Sequence, residues 1–109
     1  MSKGCGHLKL LQRRIYRNKV AKGFNVSRSR NGVREEIVHL VEELGELAAA
    51  HRRGNRSKVI NALIDLMVFD LGFLEILGVN TDREMDKVLV QNEKRRYRRR
   101  KDGSWMRVR

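Results

Sequence analysis

The 109-residue chain has no proline and only one cysteine, Cys5. A lone cysteine cannot form an internal disulfide, so a reducing, cytoplasmic setting is the simplest expectation. The absence of proline removes the strongest helix breaker, and the nine glycines are scattered rather than clustered. With Leu, Glu, Arg, Lys and Ala abundant, composition favours helices throughout. Long apolar runs are also missing. The longest stretch, "NALIDLMVFDLGFLEILG" at 61–78, is interrupted by Asp65, Asp70 and Glu75, and no membrane span is expected. The basic N-terminus leads into no continuous apolar segment, so no signal peptide is expected. The first 34 residues contain no acid at all.

What is present is charge, unevenly placed. The net charge of +12 combines ten bases over 1–34, twelve acids against seven bases over 35–94, and eight bases against one acid over 95–109. Two basic arms flank a mildly acidic centre. Such arms suit polyanions, either nucleic acid or nucleotide phosphates, unless they are only solvated ends. The length suits a single domain, 1–109, with a modest core.

Apolar spacing at Leu8, Leu11 and Ile15 predicts a basic amphipathic helix over 7–21. "AKGFNVSRSRNG" (21–32) reads as a loop. A second helix is expected from about Val33 to Arg53, with Glu35 and Glu36 in its first turn and Gly54 beyond its end. A third runs from near Ser57 to Gly78. The fourth starts at a Thr81–Glu84 capping box and is expected to reach about Arg98, with a turn and extended tail after it.

The third helix is apolar on every face, which demands burial, yet it carries Asp65 and Asp70. If helices two and three form an antiparallel hairpin about "RGNR", Glu46 and Asp65 stand at equal height. Glu43 then lies one turn away on one side and Asn61 on the other. Carboxylates gathered in a partly buried space resist ionisation together, and a hard cation such as magnesium resolves that conflict. The bland alternative makes Glu43 and Glu46 surface acids paired with Arg52, Arg53 or a neighbouring helix. Asp70 lies about 140° round from Asp65 and is expected to pair with an arginine of helix one, helix four or a second subunit.

"LVEELGELAAA", followed about twenty residues later by "ALIDLMVF", then Gly78-Val79-Asn80 and Lys87, Asn92 and Arg95 or Arg96, resembles the MazG-like nucleotide pyrophosphohydrolases. "NKVAKGFN" at 18–25 is similar to the lead-in of some members. The resemblance covers 33–97 and leaves 1–32 as a basic helix and loop and 98–109 as a basic tail. It implies an all-α, four-helix fold that oligomerises as a dimer or tetramer. It further implies Mg2+-dependent hydrolysis of a nucleoside or deoxynucleoside triphosphate to the monophosphate and pyrophosphate, with Mn2+ as an alternative metal. By position, Glu43, Glu46 and Asp65 would bind the metal and activate water, while Lys87, Asn92 and Arg95 would hold phosphates. One ligand is missing, because Ala62 stands where the family has glutamate; Asn61 could supply a neutral oxygen, and His39 or Glu36 could contribute.

Two rival readings remain. One is a small nucleic-acid-binding protein whose acids are structural, and the other is an inactive oligomerisation module. Phe24, Tyr97 and Trp105 could stack on a base or simply pack. Arg95–Lys101 is a phosphate clamp or a nucleic-acid arm. Cys5 and His7 have metal-ligand chemistry but sit in a terminus expected to be mobile, and no site is placed there.

Overall fold

The computed structural model describes residues 6–108, so Cys5 lies outside the described residues. The chain forms α1 (His7–Ala21), α2 (Arg30–Arg52), α3 (Arg56–Ile76) and α4 (Thr81–Lys94). A hairpin of β1 (Arg96–Arg99) and β2 (Trp105–Val108) follows. His7 is therefore part of a helix rather than of a loose end.

Each of the last three helices starts at a local polar cap. The Ser29 side chain accepts from the Gly32 amide, which starts α2 at Arg30 and not at Val33. Its first turn consequently holds no acid. Asn55 caps α3 by accepting from the Lys58 amide. Asn80, not Thr81, caps α4, accepting from the Arg83 amide at 3.2 Å. Thr81 is instead the first helical residue and is buried. Gly54 (φ 66°) and Gly78 (φ 72°) take the left-handed conformation that closes α2 and α3.

α3 is the central element, packed on α2 along one side and on α1 along the other. The approach of α1 is close. A Cβ at Gly72 would stand 2.9 Å from Ile15 Cγ2, so only glycine allows that crossing. Gln12, fully buried, donates to Glu75 Oε1 and to the Val79 carbonyl, both at 3.3 Å. α4 packs chiefly on α1, and a carboxylate makes the joint. Asp82 accepts from the Leu8 amide (3.3 Å) and the Lys9 amide (3.1 Å), and so caps α1 from a distant part of the sequence.

The core of this single chain is small. Ala50, Ala62 and Ile76 are its buried apolar residues, while Val41, Leu44, Leu63, Ile64 and Met67 are largely exposed. The radius of gyration is 17.0 Å, against about 13 Å for a compact chain of this length. Among the described residues, no helix is long and apolar enough to cross a membrane.

Candidate active site

A cleft of about 460 Å3 opens where α1, the loop after it, α2 and α3 meet. α2 contributes Glu35, Glu36, His39 and Glu43, a run spaced largely by one helical turn. α3 contributes Asp65, Val68 and Phe69 from the facing side. α1 adds Ile15, Asn18 and Lys19, and the loop adds Gly23, Phe24 and Asn25.

The loop is held by its own polar side chains. Asn25 donates to the Gly32 carbonyl and accepts from the Ser27 amide, both at 3.0 Å, and Ser27 hydrogen-bonds Ser29. A Cβ at Gly32 would collide with the Ser27 carbonyl, so the loop folds back on the first turn of α2 only because that residue is glycine. Phe24 is thereby placed at the cleft with 58% of its surface exposed.

The electrostatics of the cleft are set by its acids. Burial pushes the Glu43 carboxyl above the ordinary glutamate range. The negative charges of Glu46 and Asp65 push it further, His39 opposes them, and Glu42 adds a smaller upward push. Glu43 and Asp65 line the cleft directly, while Glu46 acts on Glu43 from beside it. Glu36 is a different kind of acid. It is 5% exposed and paired with Lys19 at 3.0 Å, with its second oxygen unpartnered. Lys19 also lies 5.3 Å from the centre of the Phe69 ring, and His39 stands 6.1 Å from that ring.

Other expected site residues stand elsewhere. Asn61 is exposed and does not line the cleft, and Ala62 is buried between helices. Lys87, Asn92 and Arg95, on α4 and at its end, do not line it either. Lys87 pairs with Glu84 at 3.4 Å, and Asn92 accepts from Arg95 at 2.9 Å. Asp70 is solvent-exposed, its carboxyl raised by partial desolvation, and it has no ion-pair partner among the described residues, so the expected pairing within one chain is not formed. Reading spacing alone missed Lys19 and Phe69. Their signal was a lysine at the end of a basic helix and an aromatic one turn beyond Asp65.

The donor set suits a hard divalent cation, being oxygen-rich, with Glu43 and Asp65 lining one cleft and neither in an ion pair among the described residues. Among the described residues, no three His, Cys, Asp or Glu side chains converge on one point. A cation would therefore have to draw the acids together.

The four helices thus set an acidic cleft between α2 and α3, with α1 and its following loop as the remaining wall. The sequence matches the phosphoribosyl-ATP pyrophosphohydrolase family over residues 15–92, and the chain belongs to that family. The fold is also that of a solved structure described as a cyanophage S-2L MazG-like pyrophosphohydrolase bound to dGDP and three catalytic Mn2+ ions per active site. The two share 24% identity, with 95% of this chain and 99% of the other covered, at a TM-score of 0.66. No curated protein matches.

Proposed function

We propose that the chain hydrolyses a nucleoside or deoxynucleoside triphosphate between its α- and β-phosphates, releasing pyrophosphate. The observation that carries this reading is the placement of Glu43 on α2 and Asp65 on α3 in one cleft with an exposed aromatic, Phe24. The family match and the dGDP and Mn2+ bound by the fold neighbour support it.

In this reading Glu43, Glu46 and Asp65 would hold Mg2+ or Mn2+, with His39 or Glu36 as further donors, while Asn61 stands outside the cleft. A divalent cation in such a site neutralises phosphate charge and lowers the pKa of a water. Glu43 and Asp65, set on facing helices of the cleft, would orient the attacking water beside that cation. Phe24 stacks on the base, and Lys19 keeps Glu36 in place at the wall. Lys87, Asn92 and Arg95 serve the phosphates in an assembled oligomer, because within one chain they stand apart from the cleft. Missing the family's third glutamate at Ala62, the site binds its cation less tightly than a full set would.

The test is pyrophosphate release across NTPs, dNTPs and phosphoribosyl-ATP, with Mg2+, with Mn2+ and with chelator. Divalent-dependent turnover of at least one triphosphate is expected, abolished by Glu46→Gln. No turnover of any substrate with either metal overturns the proposal.

A further inference from the structure

We propose that the C-terminal hairpin is a binding site for single-stranded nucleic acid. It pairs Tyr97 with Arg107 and Arg99 with Trp105 in an antiparallel register. Paired residues share a face and alternate residues lie on opposite faces. Tyr97, Arg99, Trp105 and Arg107 therefore form one face, a checkerboard of two rings and two guanidiniums. Met106 and Val108, on the other face, are half-buried. Tyr97 is 50% exposed and Trp105 59%, so the rings face outward and not into the protein.

The charge and the turn agree with that use. Residues 95–108 hold seven bases and one acid, Asp102. That acid is already engaged by the turn, accepting from the Ser104 amide (2.8 Å) and hydroxyl (2.6 Å). Arg99 lies 5.3 Å from the centre of the Trp105 ring and donates to the Gly103 carbonyl, which orders the platform before any ligand arrives. None of these residues lines the acidic cleft.

Single-stranded polymer is the ligand this chemistry fits. Unpaired bases stack on exposed rings whatever their sequence, while arginines follow the phosphates. An acidic protein would satisfy the arginines but leave both rings in water. Duplex DNA keeps its bases stacked on one another and offers the rings nothing.

Trp105 is the only tryptophan in the chain, so its emission reports on this face alone. The 109-residue chain is titrated with a short oligothymidylate, with a duplex of the same length, and with dTTP at matched phosphate concentration. The oligothymidylate should quench Trp105, and affinity should fall with salt by about 0.7 log units per log unit for each phosphate contacted. Arg99→Gln with Arg107→Gln should flatten that slope by about 1.4. By anisotropy of a labelled oligomer, Tyr97→Ser should weaken binding on the order of tenfold, and Tyr97→Phe should retain it. Circular dichroism checks that each variant is folded. Absence of quenching, equal quenching by dTTP, duplex binding at least as tight, or unchanged binding in the variants would each overturn the proposal.

Discussion

At Glu43 the fold holds a carboxyl whose proton is kept more tightly than in the unfolded chain. Its contribution to stability is full below the ordinary glutamate range and is lost as pH rises through the raised value. Glu43→Gln should therefore gain thermal stability over the wild type as pH rises from about 4 to about 7 in chelator. A stability difference that is flat with pH refutes this. Glu46→Gln removes the largest neighbouring charge and should lower the Glu43 titration, read by carboxyl NMR. The buried pair makes a separate prediction. Lys19→Met strands the Glu36 carboxylate and should cost about 3–5 kcal/mol in denaturant unfolding. Adding Glu36→Gln should recover much of it; no recovery would show that the pair is not the source. Helical spacing alone places Glu43 within electrostatic reach of Glu46 and Asp65, because carboxylates on two helices of one hairpin meet at fixed heights. Lys19 was illegible because its partner is 17 residues away, across a loop whose shape rests on Gly32.

Among the elements, α1 depends on α4 for its first turn. Gly6 offers no side-chain cap, and Asp82 supplies one from another helix. Asp82→Ala should cost about 0.5–2 kcal/mol of stability. In hydrogen exchange, it should raise exchange at Leu8 and Lys9 while α2 and α3 keep their protection. Loss of protection in α3 instead would show that α4 holds more than the start of α1. Periodicity set the four helices but not all their ends: α4 stops at Lys94 rather than near Arg98, because Arg96–Arg99 pair with β2 instead of continuing the helix. The Asp82 cap was not legible, because it joins residues more than seventy apart. The hairpin was hidden as well. "RYRR" has no apolar alternation, and its pairing with "WMRV" depends on a turn closed by Asp102, Gly103 and Ser104.

For the whole molecule, the extended shape and the small core point the same way. Val41 is 61% exposed, and Leu44, Leu63, Ile64 and Met67 are open on α2 and α3. The two helices that build the cleft thus offer apolar surface of the kind that marks an interface. A two-fold dimer covers such a surface with its own copy at no cost in new sequence. Asp70 supports the same arrangement. Its carboxyl is solvent-exposed in one chain, raised by partial desolvation and without an ion pair among the described residues, so a basic residue of a second copy could reach it. Light scattering at micromolar concentration should give a mass of at least twice 12.8 kDa. Val41→Glu places a charge at the most exposed of these apolar side chains and should lower that mass toward the monomer, while Asp70→Asn should weaken association less. A wild-type protein that runs as a 12.8 kDa monomer refutes the assembly. It would also leave Lys87, Asn92 and Arg95 without a route to the phosphates.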